Sequence, residues 1–146
     1  MLLATPLQVA DITATVANGG IKNRVNLVDS IIDENGKTIK KIKVDEGHRV
    51  ISPATAGKIK SMMEAVTLYG TGTDAGMEYY GGAGGKTGSA ETGSDGVVHG
   101  WFAGYFPTAS PRYAVAVFVE NGQYGSKAAV PIFAGIAQKM KDKGLV

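Results

Sequence analysis

The segment that most restricts the fold is "RYAVAVFVEN", residues 112–121. Its β-branched and apolar residues fall on both parities of an extended chain, so neither face suits water. A strand of this kind belongs in a sheet covered on two sides. Two further extended runs precede it, one from about Gly85 to Thr92 and one reading "VVHGWFAGYFP" that ends at Pro107. The links between the three, "TGSDG" and "TASP", are short and rich in turn residues, which favours antiparallel hairpins. The chain therefore reads as α+β, with an antiparallel β-sheet packed by helices.

Three helices are expected around that sheet. "TPLQVADITATVANGG" opens with Thr5 as cap, Pro6 at the first helical position and Gln8 closing a capping box. Val9, Ile12 and Val16 make its apolar stripe, and Gly19 suits a left-handed stop. A second helix starts at Ser52 and Pro53, buries Ile59, Met62, Met63 and Val66, and ends near Gly70. The last carries Ile132, Phe133, Ile136 and Met140, with Lys139, Lys141 and Lys143 at the end where cations suit the helix dipole. Pro131 either starts that helix or kinks it. Between the first two helices, "VNLVDSIIDENGKTIKKIKV" reads as an exposed hairpin turning at Asn35-Gly36, the strongest two-residue hairpin signal.

The stretch "GGAGGKTGSAE", residues 81–91, holds the chemistry. A phosphate-binding loop needs a glycine five residues before Gly85-Lys86-Thr87, and that place is Tyr80. The loop must also open a helix, whereas "ETGSDG" has turn chemistry. Nucleotide binding fails on both counts. In a strand, Lys86 and Gly88 share one face, and Thr87 and Ser89 share the other. Gly88 lets another extended backbone lie close. An extended peptide ending in a carboxylate fits such a strand by edge addition, its anion held by the hydroxyls and the lysine field. A surface lysine in a glycine-rich hairpin suits the same residues, and both readings stay open at this point.

Composition excludes several classes. Fifteen Lys and Arg against thirteen Asp and Glu give no basic patch for nucleic acid. No cysteine is present, so disulfides, thiolate metal sites and cysteine nucleophiles are out. Two histidines without a ligand pattern make no metal site, and no cofactor is implied. His99 reads as structural and His48 as solvated. Trp101, Phe102, Tyr105 and Phe106 are assigned to the core rather than a cleft wall. Tyr79 and Tyr80 are placed along a cleft, and Asp74 and Glu78 on the surface. With no internal repeat or linker, residues 1–146 form one unit.

"KTGSAE", "HGWFAGYFP" and "YAVAVFVEN", preceded by "ATPLQVADITATVANGG", together resemble a class B, high-molecular-weight penicillin-binding protein. A lone K-T-G is weak, but four segments in order across the chain make the resemblance specific. It implies a partial β-lactamase/transpeptidase-like fold. It also implies a D,D-transpeptidase site of three parts: an S-x-x-K with the nucleophilic serine, an S-x-N, and the K-T-G strand. By resemblance, Lys86 supplies positive field, while Thr87, Gly88 and Ser89 complete the binding strand. Thr87 and Ser89 bind the carboxylate of a D-alanyl-D-alanine stem peptide or a β-lactam. Ser89 stands where the family usually has threonine, and its N–H would supply half of an oxyanion hole.

The departures matter. None of the seven serines has lysine three residues on, and no Ser-x-Asn occurs. In the family both motifs precede the "TPLQ" helix, so the expectation is the C-terminal portion of a transpeptidase domain, inactive by itself. Its expected partners are the N-terminal half of the domain, the stem peptide or β-lactam in the complete domain, and a second copy in a homo-oligomer or swapped dimer. The complete protein would lie on the extracytoplasmic face of the bacterial cell membrane. The rivals are a serine β-lactamase or β-lactam sensor of the same fold, and a non-catalytic binding module.

Overall fold

The computed structural model describes residues 3–44, 46–75, 77–93 and 96–146, with every side chain in those ranges except those of Met77 and Tyr79. In chain order the elements are α1 (Pro6–Ala17), β1 (Ile21–Lys22), β2 (Ser30–Ile32), β3 (Thr38–Lys41), β4 (His48–Arg49), α2 (Pro53–Tyr69), β5 (Gly84–Glu91), β6 (Val98–Phe106), β7 (Tyr113–Val119) and α3 (Gly125–Asp142). Two short 3₁₀ turns, Thr73–Ala75 and Met77–Tyr80, lie between α2 and β5.

The main sheet has the order β5-β6-β7 and is antiparallel throughout. Register runs from Gly84 opposite Tyr105 to Glu91 opposite Val98, and from Gly100 opposite Val119 to Phe106 opposite Tyr113. Among the described residues, neither β5 nor β7 has a strand on its outer side. One face carries Phe102, Phe106 and Val117 against Ala129, Val130, Phe133 and Ala137 of α3. Phe133 meets Phe102 and Phe106 edge-on, with ring centroids 4.8 and 5.5 Å apart. Burying each of these phenylalanines is worth about 1.5–3 kcal/mol, so this face is the core. The other face, carrying Trp101, Ala103 and Tyr105, meets α1 and α2.

Helix starts follow the sequence closely. The Gln8 N–H donates to Thr5 Oγ1 at 3.2 Å and the Thr5 N–H to Gln8 Oε1 at 2.8 Å, a complete capping box. Ser52 Oγ caps α2 by accepting from the Thr55 N–H. The expected stripes are only partly buried. Val16 is covered, but Ile12 is 63% exposed and Met62 61%, while Ile59, Met63 and Val66 are half-buried. Of α2, Ala56 and Thr67 are the buried residues. Periodicity marks the side of the helix that seeks cover; it does not supply the cover.

Two expectations need correcting, and one left open is decided. The β2–β3 hairpin exists, but its turn is longer than two residues. The Gly36 N–H donates to the Asp33 carbonyl and the Asp33 N–H to the Lys37 carbonyl, with Gly36 alone at positive φ, 79°. That is a three-residue connection with glycine in the left-handed position, held by Asp33 Oδ1 accepting from the Asn35 and Lys37 N–H groups. Second, of the two places open to Pro131 the structure takes the inner one: α3 begins at Gly125, so Pro131 lies inside it on the exposed side. The lost N–H leaves only the Lys127 carbonyl, beside solvent. Third, Tyr80 is 8% exposed and packs in the core cluster, so it lines no cleft; the Tyr79 side chain lies outside the described residues. Asp74 and Glu78 are on the surface as expected.

Candidate functional site

β5 holds the four expected residues in one extended run on an edge strand. Pairing with β6 sets their faces: Lys86 and Gly88 lie opposite Ala103 and Trp101, on the α1/α2 side. Thr87 and Ser89 lie opposite Phe102 and Gly100, on the α3 side. Lys86 is exposed, and its ammonium reaches across to Thr87, donating to the carbonyl at 2.7 Å and to Oγ1 at 3.4 Å. Thr87 Oγ1 also lies 2.8 Å from Thr71 Oγ1. The Gly125 N–H, first in α3, donates to Ser89 Oγ at 3.4 Å.

These contacts decide what the hydroxyls can offer. An ammonium and an amide N–H only donate, so Thr87 and Ser89 each have a lone pair occupied and keep their own proton to give. Protons of this kind and an ammonium are groups that can bind an anion, and charge-assisted bonds are roughly twice as strong as neutral ones.

Glycine makes the close packing possible. A Cβ on Gly85 would stand 2.2 Å from Phe102 Cζ, and one on Gly84 would stand 2.6 Å from Tyr105 Oη. A Cβ on Gly125 would stand 2.2 Å from the Trp101 carbonyl and 2.4 Å from that of Gly88. The backbone that lies against Gly88 is thus the start of α3.

Two polar contacts tie α2 to the sheet, one just before β5 and one on β6. Thr67 Oγ1 donates to the Ala83 carbonyl at 2.6 Å. The Tyr105 hydroxyl, below the protein surface, donates to Glu64 Oε1 at 2.8 Å, and Lys60 Nζ sits 5.6 Å from the ring centre. Burial first, then the Glu64 carboxylate, push the Tyr105 phenol well above its ordinary range.

Beneath α1 the sheet is incompletely covered. A cavity of about 390 Å³ lies between Val9 and Ile12 of α1, Met63 of α2, and Lys86, Gly88 and Trp101 of the sheet. A second, of about 520 Å³, continues past Val9 and Trp101 toward Leu3, Glu91 and His99. Trp101 therefore forms a cavity wall, while Phe102, Tyr105 and Phe106 are core as expected. His99 is held structurally: Nδ1 accepts from the Asn121 N–H at 3.2 Å, and the ring meets Phe118 edge-on at 5.1 Å. His48 is exposed on β4.

This arrangement of sheet, helices and Lys-Thr-Gly-Ser strand has relatives. The sequence model described as "Penicillin binding protein transpeptidase domain" matches residues 2–138. The chain belongs to the penicillin-binding protein transpeptidase family. Within that family it is 37% identical over 124 residues to the peptidoglycan D,D-transpeptidase PbpA of Mycolicibacterium smegmatis, covering 81% of this chain and 24% of that protein. It is 36% identical to the penicillin-binding protein PbpB of the same organism, covering 93% and 24%. Among solved structures, the D,D-transpeptidase domain of a peptidoglycan glycosyltransferase from Eggerthella lenta superposes with a TM-score of 0.82 at 30% identity, over 98% of this chain and 33% of that one. Penicillin-binding protein A from Mycobacterium tuberculosis, solved as an imipenem acyl-enzyme, gives 0.78 at 34% identity, over 93% and 31%. The chain thus spans about a quarter of the length of these curated relatives and about a third of the solved transpeptidase chains. Among the described residues, no helix is long and apolar enough to cross a membrane.

Sequence reasoning missed Thr71, Gly125 and Glu64. A hydroxyl residue between Gly70 and Gly72 was a usable local sign. Gly125 and Glu64 gave none, because their partners lie 36 and 41 residues away.

Proposed function

We propose that this chain is the C-terminal portion of a peptidoglycan D,D-transpeptidase domain and contributes its substrate-carboxylate strand. Lys86 provides the positive field, Thr87 and Ser89 provide hydroxyl protons, and Gly88 keeps the strand flat enough for an extended D-alanyl-D-alanine end or a β-lactam to lie alongside. One observation carries the reading: Thr87 Oγ1 accepts from the Lys86 ammonium and Ser89 Oγ from the Gly125 N–H, which leaves each hydroxyl its own proton to give, on a strand whose outer edge is unpaired among the described residues. The Ser89 N–H is assigned to the oxyanion hole; one such donor is typically worth roughly 2.7–4 kcal/mol in the transition state.

Turnover needs more than this strand. Acyl transfer requires a nucleophile and a base to activate it, and these 146 residues contain neither an S-x-x-K nor an S-x-N. The apolar space under α1 and the outer edge of β7 are the surfaces that the rest of the domain would cover. The chain alone is therefore a binding half without chemistry. The complete protein would act outside the cytoplasmic membrane, where stem peptides are cross-linked.

Two measurements test this reading. Intact mass after benzylpenicillin treatment is expected to stay unchanged, and a stoichiometric adduct would refute the inactivity. In ¹H–¹⁵N spectra, N-acetyl-D-alanyl-D-alanine is expected to shift amides of residues 86–89, while its C-terminal amide leaves them in place. Equal shifts from acid and amide would remove the carboxylate reading.

A further inference from the structure

We propose that Thr71 is a positioning residue of the anion site, setting the direction in which Thr87 presents its hydroxyl proton. This rests on the carboxylate-strand reading and adds to it a residue outside the strand. Thr71 is the one side chain in Gly70-Thr71-Gly72, the turn that leaves α2. That turn is wound tightly, since the N–H groups of Gly70 and Gly72 both donate to the Val66 carbonyl, at 3.1 and 3.0 Å. A Cβ at Gly70 would stand 2.8 Å from Val66 Cα, and one at Gly72 would stand 3.3 Å from Val66 Cγ1 and 3.4 Å from Phe102 Cε2. Glycine on both sides lets the turn press against α2 and the sheet and carry one hydroxyl to within 2.8 Å of Thr87 Oγ1.

Either hydroxyl has a proton to give across that contact, and a carboxylate that takes the Thr87 proton leaves Thr71 as the donor. Thr87 Oγ1 has two lone pairs and one proton. Lys86 Nζ, which only donates, takes one lone pair. When Thr71 donates into the other, the sole remaining valence of Thr87 is its proton, which is free for an incoming carboxylate. When Thr71 is removed, Thr87 keeps an empty lone pair, its χ1 loses a restraint, and the proton is no longer directed. Serine at position 71 preserves the hydroxyl, whereas valine preserves the shape and loses it.

The test uses the full chain with Thr71→Val and Thr71→Ser. Without ligand, three-bond couplings from the Thr87 γ-methyl to its backbone nitrogen and carbonyl carbon report χ1 directly. One rotamer is expected in the parent and in Thr71→Ser, and averaged couplings in Thr71→Val. Averaging already present in the parent, or a fixed rotamer in Thr71→Val, overturns the proposal whatever the ligand does. With N-acetyl-D-alanyl-D-alanine, Thr71→Val is expected to weaken binding about 3- to 10-fold and Thr71→Ser to restore it. Equal affinity for parent and valine variant also overturns it. A parent that binds no dipeptide refutes the carboxylate strand itself, and the couplings still decide whether Thr71 holds Thr87.

Discussion

Two alanine substitutions in the same helix are expected to act in opposite directions. Gly125 opens α3 on the seam between β5 and β6, where a Cβ would stand 2.2 Å from one backbone carbonyl and 2.4 Å from another. Backbone cannot swing aside as a side chain does, so the helix start has to retreat by about 1 Å to reach ordinary contact. A gap of that size forfeits a quarter to a half of each van der Waals well along the contact, and overpacking of this kind costs about 3 kcal/mol. The Gly125 N–H contact to Ser89 is lost in the same movement. Gly135, ten residues on, has nothing within 4 Å of its Cβ position and lies on the exposed side of the helix interior. There alanine gains about 0.5–1 kcal/mol from helix propensity. With a urea slope near 1.5 kcal/mol per molar, Gly125→Ala lowers the unfolding midpoint by about 2 M, and Gly135→Ala raises it by about 0.5 M. Far-UV circular dichroism in urea measures both. Coincident midpoints, or a stabilised Gly125→Ala, would show that close approach of α3 to β5 is not what this glycine provides.

Tyr105→Phe removes a hydroxyl bonded to the Glu64 carboxylate and is expected to cost about 1.5 kcal/mol at neutral pH. The phenol is raised in the folded chain, so above about pH 10 the unfolded chain releases a proton that the folded one retains, and stability falls with rising pH. The gap between parent and phenylalanine variant should therefore narrow above that pH, and a gap that widens would contradict the assignment. Self-association follows from the two open sheet edges and from Leu7, Ile12 and Met62, which are 53%, 63% and 61% exposed. Light scattering should report a mass that rises with concentration; one chain's mass held into the millimolar range would argue against it.

Local chemistry was readable wherever a structural choice is made within a few residues. The Thr5–Gln8 capping box, the Ser52 cap, the existence of a hairpin at Asn35-Gly36 though not its turn length, and the alternation that puts Lys86 and Thr87 on opposite faces all depend on neighbours in the chain. The start of α3 was not readable, because Tyr124 offers no side-chain cap and Pro131 suits a helix start as well as an exposed interior place. The half-exposed stripes of α1 and α2 were also misjudged, since a stripe records an apolar face and says nothing about what lies over it.

The sequence by itself determined three antiparallel strands, two capped helices, a Lys-Thr-Gly-Ser edge and the absence of a nucleophile motif. Only the tertiary structure decided which groups stand behind the two hydroxyls. Thr71 reaches Thr87 across 16 residues and Gly125 reaches Ser89 across 36. Such pairings arise where separate elements settle against one sheet, and at Ser89 the direction follows because the Gly125 N–H can only donate.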